Sequence, residues 1–482
     1  MTTDRFAERR SAFLSRLGQT VAVVPAAHEQ IRNDDVPHPF RQDSDFHFLT
    51  GFTEPDAVAV FDAASDTPFT LFVRPRDAKA EAWTGLRAGT EGAVERFGAD
   101  AAFPLEELDD QLRRRLAGRG SVGYVPGGLV EPKVLGALRA VRSYADRSGV
   151  AVPTRIVDIR AIVHELRLVK SDDEIEALRE ACRISAVAHN EAMRFAAPGR
   201  SERQVAAALE YVFGVMDAER VGYSSIVAGG DNACILHYVE NDQTLVDGDL
   251  LLIDAAAEYR HLTSDITRTF PVNGHFSAPQ RAIYELVLQA QQAVVSLCRP
   301  GLPFTDMHTR AVEVLAAGMV ELGLLPGTAD EVVAKGWYRQ FFFHGTGHWL
   351  GVDVHDAGTT RIDGAGRPLE PGMAFTVEPG VYVARDKAAV TLSHAEYDPD
   401  DRLRLAFELG AEEAKAEVAR REQEAGTFEF KVPAQYLGIG VRIEDDLLIT
   451  AKGYENLSAL SPVEPDAVEA LCAEESRLPL FD

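Results

Sequence analysis

The sequence predicts two domains, an α/β domain over residues 1–168 and an α+β domain over residues 169–482, and three observations carry that expectation. At 482 residues the chain is too long for one compact domain and comfortable for two. The first third alternates short apolar runs with helical patterns, as α/β domains do. Near Arg160 the pattern changes, and a helix-start signal at Ser171 opens a stretch of long helices mixed with strands rich in Val, Ile and Thr.

Thr20–Val24, Ala57–Phe61 and Pro68–Val73 have the apolar character of strands, and Leu105–Leu116 and Pro132–Ala145 have helical spacing. This part contains no Gly-rich phosphate loop, so no nucleotide site is expected in it. The second part begins with an amphipathic pattern from Ile175 to Phe195. Ser171 is a good N-cap there, with Glu174 completing a capping box, and Pro198-Gly199 stops the helix. Leu250–Ala256 and Asp265–Phe270 read as a hairpin across a short polar stretch. Ala278–Cys298 and Thr305–Leu322 read as helices. Short strands bounded by Gly and Pro follow, up to Thr450. Within them Arg385–Lys431 stands out as a highly charged insertion, helical around Leu403–Glu424. Glu412, Glu413, Lys415 and Glu417 lie close enough to Arg420 and Arg421 for pairs across helical turns, which reads as a solvated surface segment.

Composition narrows the function. Hydrophobic residues at 46% and charged residues at 26% are ordinary for a globular protein and exclude a mostly disordered chain. A formal charge of −26 disfavours nucleic acid and anionic membrane surfaces, both of which need clustered Lys and Arg. No apolar run is long enough to span a bilayer, and Met1–Arg10 lacks the apolar core of a signal peptide. Cys182, Cys234, Cys298 and Cys472 are scattered, without the spacing of a disulfide framework or a Cys-type zinc site. A cytoplasmic protein with reduced thiols is expected.

Several acids and imidazoles stand in unusual surroundings. Asp254 ends the apolar run Leu250–Ile253, and Asp265 opens the opposing strand. A hairpin could set the two carboxylates side by side, where repulsion calls for a cation, although two turn caps would look the same. His344-Gly345-Thr346-Gly347-His348 combines imidazoles with small residues that leave room for a ligand, and His355 follows closely. Glu378 and Glu444 are acids flanked by β-formers. Each alone could be an outward-facing strand charge. Four such carboxylates and a histidine would share a dry cavity only around metal ions. The oxygen-rich set favours Mn²⁺, with Zn²⁺, Fe²⁺ or Co²⁺ as alternatives. Two ions about 3.5–4 Å apart would hold a bridging hydroxide.

The order of motifs is then recognisable. It runs through Phe40-Arg41-Gln42-Asp43-Ser44-Asp45-Phe46, Thr50-Gly51-Phe52, Cys234-Ile235-Leu236-His237-Tyr238, Leu252-Ile253-Asp254-Ala255 and Asp265-Ile266-Thr267-Arg268-Thr269-Phe270. It continues with His344–Asp356, Val377-Glu378-Pro379-Gly380 and Arg442-Ile443-Glu444-Asp445. Over nearly its whole length the chain resembles the bacterial aminopeptidase P group of the pita-bread metallopeptidases. The resemblance implies a creatinase-like N-terminal α/β domain and an α+β pita-bread catalytic domain. It implies five metal ligands, Asp254, Asp265, His348, Glu378 and Glu444, with Asp265 and Glu444 bridging two divalent ions. Asp254 would complete one site, and His348 and Glu378 the other. His237, His344 and His355 match substrate-facing histidines, and Tyr223 and Arg442 match residues that orient Asp254. Trp83 matches a residue lent to the active site by a neighbouring subunit, which implies a homo-oligomer, a dimer or tetramer. Arg385–Lys431 is longer than the corresponding segment of most bacterial members.

The implied activity is hydrolysis of the bond between an N-terminal residue and a following proline, with Glu378 handling protons and His237 or His355 helping to stabilise the oxyanion. Three rivals share the fold. An Xaa-Pro dipeptidase differs in whether residues beyond proline fit. A catalytically dead peptide-binding module and a metal-free creatinase-type hydrolase would both lack a full ligand set.

Overall fold

The computed structural model describes residues 3–478 and divides into two units, one up to Leu168 and one from Val169 onward. In the first unit the apolar runs form the strands Val21–Pro25, Val58–Phe61 and Phe69–Val73. They are joined by Ala101–Pro104, Ser121–Tyr124 and Arg155–Asp158, each only four residues long and without a clear pattern in the sequence. The six make one mixed sheet, with Val21–Pro25 and Val58–Phe61 antiparallel at its centre and parallel pairs at both ends. Helices Leu108–Leu116 and Glu131–Ser148 bury Leu112, Leu116, Val134 and Val141 against Val21, Val23, Val60 and Phe72 of that sheet.

The Phe40–Phe46 motif has a structural role. Asp43 caps the helix Ser44–Thr50, its Oδ1 accepting from the Phe46 amide at 2.8 Å. Gln42 accepts from the Ala27 amide at 2.8 Å and donates to the carbonyls of Phe52 and Glu54 at 3.1 and 2.8 Å. Asp45 accepts from Arg167 at 2.7 Å and faces His164 at 3.3 Å.

The second unit opens with the long helix Asp172–Phe195, and the capping box forms, Ser171 donating its amide to Glu174 at 3.0 Å. Strands Ile226–Gly229, Leu250–Asp254 and Thr267–Pro271 make an antiparallel sheet in which Asp254 lies opposite Thr267. The connection between the last two strands is not the simple polar turn the sequence suggests. It is a second small hairpin, Ala257–Tyr259 with Leu262–Thr263, turned by Arg260 and His261 at positive φ and paired to a different sheet. Ala374–Val377 pairs with Asp445–Thr450, and Gly380–Val383 pairs with Ile439–Arg442. A bridge between Thr267 and Glu444 ties the two strand systems together. Helices Ala278–Val295 and Phe304–Glu321 fall close to their expected positions. Among the described residues no helix is long and apolar enough to cross a membrane.

The charged insertion is more ordered than a solvated helical segment. Ala389–Ser393 and Thr427–Lys431 form an antiparallel stem, and two helices, Pro399–Leu409 and Ala411–Ala425, meet at Gly410, which sits at φ 86°. Trp337 donates to the Ser393 carbonyl at 2.7 Å and packs edge-on against Phe428, so the stem is seated on the domain. The expected helical pairs form, Glu417 with Arg420 and Arg421, and Glu412 with Lys415.

One buried charge and one half-buried charge each support a stability prediction. Arg268 is fully buried and donates to Asp445 at 2.7 Å and to the carbonyls of Glu444 and Ser461 at 2.7 and 2.9 Å. Arg268→Met leaves Asp445 without its cation and should destabilise the second unit by about 3–5 kcal/mol in denaturant unfolding; an unchanged midpoint would contradict this role. Burial alone raises the Asp45 carboxyl, but His164 and Arg167 outweigh it and hold the pKa below its ordinary value. Such a group adds stability above the unfolded pKa, near 4, and loses it as pH falls through the folded value. Asp45→Asn should therefore lower Tm at pH 7, with the gap to wild type closing as the pH drops below about 4.

Candidate metal centre

The carboxylates stand where strands end. Asp254 is the last residue of its strand, and Asp265 lies two residues before the next one begins. Glu444 sits between the paired strands Ile439–Arg442 and Asp445–Thr450, and Glu378 follows Ala374–Val377 directly. Strand ends free a side chain from the ladder's alternation while the ladder fixes the backbone beneath it. The His344–His348 turn is laid against the strand bearing Glu378. Glu378 donates its amide to the Thr346 carbonyl at 2.8 Å, and Thr376 donates to the His348 carbonyl at 3.0 Å. A Cβ at Gly347 would lie 1.9 Å from the Thr376 carbonyl oxygen, so only glycine permits this approach.

These backbones bring together Asp254, Asp265, His348, Glu378 and Glu444. His348 Nε2 lies 3.3 Å from Asp265 and 3.7 Å from Glu378. Asp265, His348 and Glu444 each offer a ligand atom, all within 4.8 Å of one another. Tyr223 donates its hydroxyl to Asp254 at 2.5 Å and also contacts Asp265. Arg442 donates to Asp254 at 2.5 Å. His237 and His355 line a cavity of about 240 Å³ together with Tyr223, Asp254 and Asp265, and Ile226, Val239 and Val354 give it an apolar side. The His355 ring meets that of His348 edge-on, with centroids 4.3 Å apart. His344 stands beside Glu378 at 3.5 Å, beyond the residues that line the cavity. Trp83 belongs to the first unit, on the short helix Ala78–Thr84, and is 84% exposed.

The electrostatics are those of a site short of positive charge. Burial pushes Asp254 up in spite of Arg442. Burial, only partly offset by His348 and Arg442, lifts Glu378 to about 7. Glu444 is driven well above the carboxylate range by burial and by the neighbouring Asp265 and Glu378. Burial depresses His348, but Asp265 and Glu378 outweigh it and hold the imidazole at about 9. His348 Nδ1 pairs with the Trp349 carbonyl at 3.0 Å, which leaves Nε2 to face the acids, the usual way a metal-binding histidine is oriented. Four acids and one imidazole thus converge with Arg442 as the only arginine paired to their side chains among the described residues, and the donor set fits divalent cations. A second group with ligand-like spacing, Glu219, Glu258 and His261, already has Arg220 seated on Glu258 and Glu219.

Sequence reading missed three contributors. The Tyr382 hydroxyl accepts from Arg442 at 3.0 Å and pairs with His344 Nε2 at 2.9 Å. Thr267 donates to Glu444 at 2.6 Å and accepts from Arg442 Nε at 3.0 Å. Asp446, wholly buried, accepts from the Asp265 amide at 2.9 Å. The signals were faint: one hydroxyl between valines at Tyr382, and one acid continuing into Leu447-Leu448-Ile449 at Asp446.

Known proteins place this arrangement. The model of metallopeptidase family M24 matches residues 176–451, and that of the aminopeptidase P N-terminal domain matches residues 6–123. The chain is 39% identical over 476 residues to the Xaa-Pro aminopeptidase of Escherichia coli, covering 98% of each. It superposes on the aminopeptidase PepP of Pseudomonas aeruginosa with a TM-score of 0.87 at 41% identity, again over 98% of both chains. Zinc-substituted E. coli aminopeptidase P in complex with product gives a TM-score of 0.85 at 39% identity, over 98% of each chain. With its ligand-like residues on a pita-bread domain that follows an aminopeptidase P-type α/β domain in the sequence, the chain belongs to metallopeptidase family M24.

Proposed function

We propose that this enzyme is an Xaa-Pro aminopeptidase, cleaving an N-terminal residue from a following proline with two divalent metal ions, Mn²⁺ by preference. The observation that carries the reading is the convergence of four carboxylates and one imidazole, with Asp254, Asp265 and Glu444 buried and Asp254 and Asp265 on the wall of a cavity with an apolar side. Asp265 and Glu444 would hold both ions, Asp254 would complete one site, and His348 with Glu378 the other. The oxygen-rich donor set supports Mn²⁺ over softer-ligand metals. When bound, such ions lower the pKa of water to about 7 and polarise the scissile carbonyl.

The chain's own residues do the rest. Glu378, between His344 and His348, takes and returns the proton. His237 and His355, on the cavity wall, are placed to donate to the developing oxyanion. Tyr223 and Arg442 hold Asp254 in one orientation. The negative character that Asp254 and Asp265 give the cavity wall favours a substrate's amino terminus, which gives exopeptidase action. Proline has no amide hydrogen and a fixed φ, so a peptidase that binds substrate as an extended strand handles it poorly. Ile226, Val239 and Val354 offer its ring an apolar surface instead. The exposure of Trp83 and of Leu86, at 84% and 81%, supports a homo-oligomer in which a neighbouring subunit covers them. Four free thiols suit a cytoplasmic setting.

The deciding assay compares Xaa-Pro and Xaa-Pro-Yaa with metal-stripped protein, before and after Mn²⁺ is restored. Cleavage of the tripeptide only with metal, and little of the dipeptide, is expected. Cleavage of the dipeptide alone would move the enzyme to the dipeptidases. Glu444→Ala should nearly abolish turnover while leaving the protein folded, and retention of most activity would refute the ligand set. Tyr223→Phe should weaken Mn²⁺ binding by about 10–100-fold in a metal titration.

A further inference from the structure

One wall of the cavity is a loop with little structure of its own. From Ile235 to Asp249 the chain forms no helix or strand, yet it carries His237 and Val239 to the cavity. Both are exposed, and among the described residues His237 makes no side-chain hydrogen bond. Tyr238, between them, is buried at 6% exposure against Ile226, Ala228, Leu252 and Tyr382. Its hydroxyl ends on the carboxylate of Glu202 at 2.8 Å.

Glu202 is the first residue of the helix Glu202–Val215 and is wholly buried. Among the described residues no Lys or Arg pairs with it. Its two oxygens are instead filled by donors from the loop and from the strand end and turn that lead into it. Oε1 accepts from the Gly229 amide at 2.8 Å and from Asn232 Nδ2 at 3.0 Å. Oε2 accepts from Tyr238 and from the Gln243 amide at 2.9 Å, and Glu202 returns its own amide to the Gln243 carbonyl at 2.9 Å. The helix N-terminus favours the negative charge. One carboxylate therefore grips the segment 229–243 at both of its ends and, through Tyr238, beside His237. A buried polar network satisfied in this way rigidifies the segment that supplies its donors.

We propose that Glu202 is a positioning residue for the peptidase reaction, fixing the segment 229–243 in part through Tyr238 so that His237 and Val239 stand at the cavity wall. The proposal rests on the Xaa-Pro aminopeptidase reading above. Four donors meet this carboxylate, so an amide at the same place leaves at least one oxygen's donors facing an NH₂ group.

Tyr238→Phe and Glu202→Gln test it, the first removing a single hydroxyl and the milder of the two for folding. Hydrogen exchange of the peptide spanning 229–243 should quicken in both, while the strand Leu250–Asp254 stays protected. On an Xaa-Pro-Yaa substrate with saturating Mn²⁺, kcat/KM should fall by about tenfold for Tyr238→Phe and up to about a hundredfold for Glu202→Gln, as small misplacements can produce. The fall should lie mainly in kcat, with Mn²⁺ affinity unchanged. In a His237→Ala background Tyr238→Phe should add little, because the group it positions is already gone. Unchanged exchange, or losses that add fully to that of His237→Ala, would overturn the proposal. A wild-type protein inactive on the tripeptide would strike the functional reading, while exchange still judges the clasp.

Discussion

Four carboxylates held together away from water repel one another, and most of the second unit can be understood as a means of holding them there. Like charges at this spacing raise one another's pKa and pull the backbone apart unless a cation or a rigid frame prevents it. Here burial first, and the neighbouring acids after it, shift Asp254, Glu378 and Glu444 upward. The frame is backbone, because every acid of the cluster stands within two residues of the end of a paired strand. Arg442 and Tyr223 then restrain the acids by hydrogen bonds. A divalent cation is the remaining requirement, and it is the element on which the chemistry of family M24 depends.

The same constraint orders the neighbouring shells. Thr267, Tyr382 and Asp446 do not belong to the acid set itself. They hold Glu444, His344 and the Asp265 backbone through hydrogen bonds of 2.6 to 2.9 Å. Arg442 links several of these at once, donating to Asp254, Tyr382 and Thr267. A guanidinium suits that task because its five donors sit in one rigid plane.

Much of this was legible in the sequence because the ligand-like residues break local rules. Asp254 ends a run of four aliphatic residues, and paired glycines separate His344 from His348, which neither propensity nor core packing explains. The helix from Ser171 could be read because a capping box is a local signal. Other features depend on distant partners and left little trace. Tyr382 looks like an ordinary strand tyrosine until Arg442 and His344 are seen beside it. The Asp254–Asp265 connection read as a plain turn because two strands of two and three residues are too short to show a period. In the insertion, the stem strands went unseen because Ala389–Ser393 and Thr427–Lys431 acquire their pairing only from each other, across 33 residues of intervening chain.

That insertion enters between the strands Gly380–Val383 and Ile439–Arg442, whose pairing sets Tyr382 opposite Gly440 and Arg442 opposite Gly380. Its own stem continues the antiparallel course, Val432 donating to the Ala388 carbonyl at 3.0 Å. Closure entropy grows only logarithmically with the length of chain beyond such a stem. The outer end can therefore lengthen, shorten or diverge with little thermodynamic consequence, while the inner end keeps its spacing. This geometry makes the hairpin an evolutionary buffer, a place where surface character can drift between lineages while the ladder holding Tyr382 and Arg442 stays in step.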